Sequence, residues 1–182
     1  MRPSRSMRAG GWPRCQQARG GAYDGLRDGA AAVRMPMAGQ MKYGTREWFE
    51  SQYDASCDDP WGLDWRPSQC FRYETMLAAL LRVVGPDWTP ARIIDVGCAT
   101  GAFTARLSTL GRCDAVSVMG VDIAESAITR ARARHPAITF ARMSLDECAL
   151  RFAASAELVT CLEVLYYLPD EQRVAALQML RD

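Results

Sequence analysis

The segment Ile94-Asp95-Val96-Gly97-Cys98-Ala99-Thr100-Gly101 joins a short apolar run to a stretch with helical character. The apolar run predicts a buried strand, and the glycines after it predict a turn into a helix. Glycine at such a turn lets a ligand approach the backbone closely, and a helix N-terminus favours a carboxylate or phosphate. The segment therefore predicts a ligand-binding turn between a strand and a helix.

Two kinds of cofactor site use a turn of this kind, and the spacing of the glycines separates them. A dinucleotide fold requires Gly-x-Gly-x-x-Gly, but the second and third positions counted from Gly97 are Ala99 and Ala102. The chain instead has the spacing Asp-x-Gly-x-x-x-Gly, through Asp95, Gly97 and Gly101, which fits the second kind of site. The spacing therefore argues against a dinucleotide site.

Strands and helices alternate from Arg92 onward, which predicts an α/β fold with a parallel sheet, right-handed crossovers and flanking helices. The predicted strands cover 93–96, 116–121, 138–141 and 158–162, and the predicted helices cover 102–110, 124–134 and a last stretch from 169. The second of these helices is expected to face the core through Ala124, Ala127, Ile128 and Ala131, and the last through Val174, Leu177 and Leu180.

Residues 43–88 precede this alternation and are predicted to form a helical lid region. Thr45 is the predicted N-cap of a short helix, and Ser68 is the predicted N-cap of a longer one. Tyr43 and Trp61 are either ordinary core residues or a cover over a ligand. The longer helix carries an apolar stripe that is expected to face the core, made of Phe71, Leu77, Leu80, Leu81 and Val84.

The segment Asp95–Gly101 and the pattern after it resemble the motifs of class I S-adenosylmethionine-dependent methyltransferases. Asp122 follows the second strand, at the family's position for an acid that accepts hydrogen bonds from both ribose hydroxyls. Ile123 occupies the family's apolar position against adenine. The resemblance implies a Rossmann-like sheet, about four of whose usual seven strands are present, and S-adenosyl-L-methionine as cofactor. The positions matching cofactor-binding motifs are Asp95, Gly97, Cys98, Ala99, Gly101, Asp122, Ile123, Met143, Ser144 and Leu162.

A narrower resemblance concerns three segments, Asp59-Pro60-Trp61, Tyr73-Glu74 and Glu163-Val164-Leu165-Tyr166-Tyr167-Leu168. They are similar to the nodulation-protein-S type, whose members N-methylate a chito-oligosaccharide amine. This resemblance implies N-methylation of a small-molecule or sugar amine. Because an amine must be neutral to attack, Glu163 is expected to orient it or take its proton, with the Tyr166 hydroxyl assisting. No metal is predicted, since alignment in a dry site supplies most of the rate.

Several of these residues also have a structural interpretation. Asp122 and Glu125 form an Asp-x-x-Glu pattern that could cap the next helix, with or without a cofactor contact. Glu163 could be solvated at a strand end, and Tyr166 could be a packing residue. Ser144 stands where the family often has an aspartate that reaches the adenine amine, so the sequence leaves that contact open.

The chain ends at Asp182, near the helix after the fourth strand, whereas the family's sheet has three further strands. Residues 89–182 are therefore predicted to be an incomplete cofactor-binding domain. The fourth strand is expected at an exposed edge, where self-association is a candidate interaction. Three functions stay open: a methyltransferase, a non-catalytic S-adenosylmethionine-binding fragment or subunit completed by a partner chain, or a nucleic-acid-associated protein that uses the Arg-rich tail.

Composition and charge predict one globular domain with a separate N-terminal tail. The 182 residues are 49% hydrophobic and 24% charged, with a net charge of +1. Residues 1–40 hold seven Arg against two Asp and seven of the 14 glycines. We predict a disordered Arg/Gly-rich tail over 1–42, or sequence upstream of a later start at Met35, Met37 or Met41. A transit peptide and an RNA-binding tail are the alternatives.

The remaining composition excludes several classes of protein. Residues 41–182 are mildly acidic, which argues against a nucleic-acid partner. No apolar run is long enough to span a membrane. The seven cysteines include no Cys-x-x-Cys pair, and His135 is the only histidine, so neither a zinc site nor a disulfide framework is indicated. We therefore predict reduced thiols and a cytoplasmic location.

Overall fold

The central sheet consists of the strands β1 (Ile93–Val96), β2 (Val118–Asp122), β3 (Thr139–Arg142) and β4 (Leu158–Cys161). All four are parallel, in the order β3-β2-β1-β4. The computed structural model describes residues 42–53, 58–85, 87–88, 90–110, 118–152 and 155–181. The predicted tail therefore lies outside the described residues, apart from Lys42. Val96 pairs with Val121 and Cys161, so the carboxyl ends of β1, β2 and β4 meet at one edge.

Helices flank this sheet, as the alternating pattern predicted. None of the helices in the described ranges combines the length and apolar character that a membrane span needs. A short 3-10 helix covers Leu165–Tyr167. The α-helices are α1 (Arg46–Gln52), α2 (Pro67–Val84), α3 (Ala102–Leu107), α4 (Glu125–Arg134), α5 (Leu145–Phe152) and α6 (Asp170–Arg181).

The core lies on both faces of the sheet, because all four residues of β1 are buried. Alternation along the strand sends Ile93 to one face and Ile94 and Val96 to the other. The first face packs against α2 and α3, where Phe103 and Leu107 are buried. Full burial of an aliphatic side chain of this size stabilises the folded state by about 1.5–3 kcal/mol, so β1 contributes strongly to the stability of the fold.

Most predicted elements are confirmed, and one helix was not predicted. The described strands agree with the predicted ones within two residues at each end, although residues 116 and 117 lie outside the described part. On α4 the predicted inward residues Ala127, Ile128 and Ala131 are fully buried, as is Ala124 before it. The helix that was not predicted is α5, which follows Ser144. The Ser-x-x-Glu pattern at its start is the sequence signal that indicates it.

The predicted stripe of α2 is wrong in part. Tyr73 and Leu77 are the buried residues of this helix, whereas Phe71 is 74% exposed. The ring centroids of Tyr73 and Phe103 are 5.0 Å apart. This contact turns the Tyr73 side of the helix toward the core and leaves Phe71 outside it. The helix also begins earlier than predicted, because Pro67 takes the first helical position and Arg66 is the N-cap, rather than Ser68.

The predicted inward face of α6 is also wrong in part. Ala176 is 2% exposed and Leu180 packs against the core, but Val174 and Leu177 are 63% and 53% exposed. The helix contacts α5 and the 3-10 helix, so it faces the protein along the line of Ala176 rather than of Val174. Two large apolar side chains therefore remain on its outer surface.

Strand β4 forms one edge of the sheet, as predicted. It pairs with β1, and no other described strand pairs with its second edge. All four of its residues are half-buried, in contrast to the fully buried β1. An edge of this kind carries backbone donors and acceptors that another strand can use.

Candidate active site

A turn of positive-φ residues connects β1 to α3, in the segment that the sequence singled out. The φ angle is +75° at Gly97, +49° at Ala99 and +85° at Gly101. The N–H groups of Gly97 and Cys98 donate to the Val121 carbonyl at 2.8 and 3.0 Å, which ties the turn to β2. Positive φ strains residues that carry a Cβ, so two of the three positions are glycine.

Asp95 braces this turn from inside the protein. Its carboxylate is buried and accepts hydrogen bonds from Thr104 Oγ1 of α3 and Thr160 Oγ1 of β4, each at 2.6 Å. Burial raises the pKa of Asp95 to about 6, although the two hydroxyl donors oppose the rise. Each carboxylate oxygen already has a protein partner, so Asp95 holds β1, α3 and β4 together around the site.

We expect Asp95→Asn to remove one pH-dependent component of stability. The Asp95 carboxyl has an ordinary pKa of 3.8 and a folded-state pKa of about 6, so the folded protein holds this proton more tightly. The parent should therefore lose stability as pH rises from about 4 to about 6, by roughly 3 kcal/mol from this group. Urea unfolding across that range checks this, with the exposed Asp87→Asn as control. A difference between variant and parent that stays constant with pH would contradict the expectation.

Asp122 lies at the carboxyl end of β2 and faces the turn. Its Oδ2 accepts the Ala99 N–H and its Oδ1 accepts the Ala124 N–H, each at 2.9 Å. Burial raises the pKa of the Asp122 carboxyl, and these backbone donors oppose the rise. The side chain is half-buried, so its carboxylate is fixed beside the turn and still reaches the open space there.

The start of α4 is capped by a residue of another helix. Glu50 of α1 accepts the N–H groups of Glu125 at 2.5 Å and Ser126 at 3.1 Å. Burial acts to raise the pKa of Glu50, but its hydrogen bonds outweigh that effect and leave the pKa below its ordinary value. The Asp122–Glu125 capping alternative is therefore wrong, since Asp122 bonds to Ala124 instead. No sequence signal pointed to Glu50, because it lies 75 residues before Glu125.

A cavity of about 480 Å³ opens at the carboxyl ends of the strands. Small-molecule sites commonly measure about 300–1,000 Å³, so this cavity has the size of a cofactor site. It brings together all but one of the residues that the sequence predicted for the site. Those that line it are Asp95, Gly97, Cys98, Ala99, Asp122, Ile123, Met143, Ser144, Leu162, Glu163 and Tyr166.

Three of the predicted residues have clear structural roles. Gly101 does not line the cavity, and an added Cβ there would meet Phe140 at 2.8 Å, so its contact is with the core. Ser144 and Glu147 form a capping box at the start of α5, in which Ser144 Oγ accepts the Glu147 N–H at 3.2 Å. Burial raises the pKa of the Cys98 thiol well above its ordinary value, so Cys98 contributes a small neutral wall.

Glu163 also lines the cavity, just after β4. It is a non-glycine residue with a φ of +60°, and its side chain forms an ion pair with Arg72 of α2. The side chain is 50% exposed, so it is neither buried nor simply solvated. Sequence reasoning missed Arg72, since nothing in the helical pattern separates this arginine from a surface one.

Tyr166 stands beside Glu163 and its neighbour Tyr167 has a different role. Tyr166 is 50% exposed, and its hydroxyl donates to the Tyr167 hydroxyl at 3.2 Å. Burial raises the pKa of the Tyr166 phenol, and the negative charge of Glu163 adds to the rise. The Tyr167 ring packs 4.8 Å from Phe49 of α1. Tyr166 is therefore the more accessible of the two.

Aromatic side chains form the wall of the cavity that the N-terminal segment provides. Phe49, Tyr53 and Trp61 all line it, and the Trp61 ring lies 5.1 Å from that of Tyr53. Of the two aromatic residues that the sequence left open, Trp61 lines the cavity, whereas Tyr43 is 61% exposed and does not. Residues 43–88 thus contribute directly to the site.

Solved structures share this arrangement of sheet and helices. Magnesium protoporphyrin IX methyltransferase (ChlM) from Synechocystis PCC 6803 matches with a TM-score of 0.53 and 21% identity, over 74% of this chain and 64% of that one. N-methyltransferase NodS from Bradyrhizobium japonicum WM9, in complex with S-adenosyl-L-homocysteine, matches with a TM-score of 0.57 and 27% identity, over the same shares, 74% and 64%. The fold is therefore the Rossmann-like fold of the S-adenosylmethionine-dependent methyltransferases.

The family follows from the sequence match. A model of the Nodulation protein S (NodS) family matches residues 44–181, and this chain belongs to that family. Nodulation protein S of Bradyrhizobium diazoefficiens is 37% identical over 120 residues, 64% of this chain and 53% of the relative. That of Rhizobium tropici is 36% identical over 135 residues, 70% of this chain and 52% of the relative. This chain therefore spans about half the length of these curated relatives.

Proposed function

We propose that this chain is an S-adenosyl-L-methionine-dependent N-methyltransferase that acts on the amine of a small molecule or sugar. The observation that carries the proposal is one cavity that is lined by Asp122, by the turn after β1 and by Glu163. Membership of the NodS family and similarity to a solved N-methyltransferase of that name support it.

The residues around the cavity suit a cofactor that carries an adenosine and a sulfonium. Its described lining includes four carboxylates and a single guanidinium, so it favours a cationic ligand. Asp122 would hold the ribose hydroxyls, because its two carboxylate oxygens have about four acceptor sites, more than the backbone N–H groups here occupy. Ile123 and Met143 offer an apolar wall for adenine. When bound, S-adenosyl-L-methionine supplies a methyl group whose bonding electrons leave with sulfur.

Glu163 and Tyr166 are placed to act on the acceptor. The lone pair of a neutral amine forms the new bond to carbon, and the nitrogen then has one proton to lose. Glu163 would accept a hydrogen bond or that proton, with the Tyr166 hydroxyl beside it. The aromatic wall of Phe49 and Trp61 excludes water and holds the acceptor in line.

The experiment that tests this function is methyl transfer from labelled S-adenosyl-L-methionine to a glucosamine tetramer. The matched control is the fully N-acetylated tetramer, which has the same sugar rings but no free amine. We expect label on the first oligosaccharide alone, with the methyl group on nitrogen by mass spectrometry. No transfer to the glucosamine tetramer or to other small primary amines would contradict a catalytic role.

A second candidate function is that of a non-catalytic S-adenosylmethionine-binding subunit completed by a partner chain. The observation that favours it is the combination of the half-buried edge strand β4 with the exposed Val174 and Leu177 of α6. Self-association through the β4 edge is the form of this proposal that needs no other protein. Sedimentation at several concentrations, with and without S-adenosyl-L-homocysteine, measures whether the chain self-associates. A molecular mass that grows with concentration, together with cofactor binding but no methyl transfer, would favour this second function over the first.

A further inference from the structure

We propose that Arg72 is a positioning residue for methyl transfer, which holds the Glu163 carboxylate in place for the acceptor amine. This inference rests on the proposed function and names a residue that acts on it from a distant part of the chain. Arg72 and Glu163 are 91 residues apart, and their ion pair joins α2 to the segment after β4. Arg72 is also the basic side chain among the described residues that line the cavity.

The guanidinium of Arg72 is held in one orientation by its own helix. Its Nη2 donates to Gln69 Oε1, one turn earlier on α2, while its Nη1 donates to Glu163 Oε1. The Cζ atom lies over the ring of Tyr73, 5.8 Å from the ring centroid. Tyr73 is itself buried in the core, so the support beneath the guanidinium is rigid. These contacts direct the planar group at Glu163 rather than into the solvent.

Two departures from ordinary packing meet at this ion pair. The Nε atom of Arg72 is buried and has no hydrogen-bond partner, which is an unfavourable state for a charged donor. Glu163 has a left-handed backbone, with a φ of +60°, which is unfavourable for a residue with a Cβ. Both unfavourable features occur in the pair of residues that places a carboxylate beside the cavity, and local strain of this kind concentrates at functional positions.

The pairing has a direct chemical consequence for the acceptor. A half-exposed glutamate samples several rotamers, and only some of them bring a carboxylate oxygen to an amine in the cavity. Arg72 restricts that choice through its ion pair, and Tyr166 interacts with the same carboxylate. Loss of the restriction should therefore affect turnover of the acceptor more than binding of the cofactor, since a misplacement of about 1 Å can lower a rate about 100-fold.

The test compares Arg72→Gln, Arg72→Lys, Glu163→Gln and the Arg72→Gln/Glu163→Gln double variant. Arg82→Gln, an exposed arginine on the same helix, is the matched control. Each full-length protein is titrated with S-adenosyl-L-homocysteine by calorimetry, and kcat and KM are measured with the glucosamine tetramer at saturating cofactor. We expect Arg72→Gln to lower kcat about tenfold or more while cofactor affinity stays within about threefold. Arg72→Lys should recover part of the loss, because it keeps the charge but not the fork.

The double variant separates positioning from a general loss of structure. If Arg72 acts through Glu163, the double variant should turn over no more slowly than Glu163→Gln alone, whereas independent effects would multiply. An unchanged kcat in Arg72→Gln would overturn the inference and leave the proposed function intact. So would a tenfold loss of cofactor affinity with normal turnover at saturation, which would place Arg72 on the cofactor. A parent that transfers no methyl group would overturn the proposed function and this inference with it.

Discussion

Gly97→Val is expected to abolish binding of S-adenosyl-L-homocysteine. A Cβ added at Gly97 would lie 2.1 Å from Val164 Cγ2, and the φ of +75° is strained for any residue with a side chain. The turn must then leave its place between β1 and α3, and the wall of the cavity moves with it. We expect a loss of affinity of more than about 100-fold, or about 2.7 kcal/mol, by calorimetric titration.

Two companion variants separate the collision from the backbone strain. Gly85→Ala meets nothing within 4 Å at a similar φ of +87°, so it should lower stability but leave binding unchanged. Gly97→Ala alone should also lose affinity, because its Cβ collides with Val164. Combining it with Val164→Ala removes that colliding side chain and should recover part of the affinity that Gly97→Ala loses. A Gly97→Val protein that is folded by circular dichroism and binds like the parent would refute the placement of the turn.

Asp122→Ala is expected to weaken the binding of S-adenosyl-L-homocysteine by roughly 1–3 kcal/mol, the range of a charge-assisted hydrogen bond. This corresponds to a loss of about 5-fold to 150-fold in affinity. Asp122 also accepts the N–H groups of Ala99 and Ala124, so Asp122→Asn, which keeps one acceptor, should lose less. Thermal unfolding of both variants measures the effect on the fold itself.

A change in the ligand makes the Asp122 experiment specific to ribose. The 2′-deoxy analogue of S-adenosyl-L-homocysteine lacks one hydroxyl that the carboxylate would accept. The parent should bind this analogue more weakly than it binds S-adenosyl-L-homocysteine. The Asp122→Ala variant should bind the two compounds with about equal affinity. Equal affinities of parent and variant for S-adenosyl-L-homocysteine would contradict the ribose assignment.

The parts of the fold that local patterns determine were predictable. The run Ile93–Val96, the glycine spacing after it and the Ala/Ile face of α4 each express one element's own periodicity, and the structure confirms them. The meeting of Asp122 with the turn was also predictable, because parallel strands end at a common edge. The class of fold therefore follows from these few residues.

The features that depend on remote contacts were not predictable. The exposed Phe71 and Val174 have helical spacing that matches a core face, and only the neighbouring helices decide which line is buried. The Arg72–Glu163 pair and the Glu50 cap of α4 join segments that no sequence spacing relates. The roles of individual site residues, the cytoplasmic location and self-association at β4 stay predictions.

Calorimetric titration of the full chain with S-adenosyl-L-homocysteine measures the binding capacity of the cavity directly. We expect saturable binding at one site per chain, which S-adenosyl-L-methionine displaces and Gly97→Val lacks. NAD should give no saturable heat, because Ala99 and Ala102 replace two glycines of the dinucleotide pattern. A folded protein that shows no saturable heat with S-adenosyl-L-homocysteine would contradict the assignment of the cavity to this cofactor.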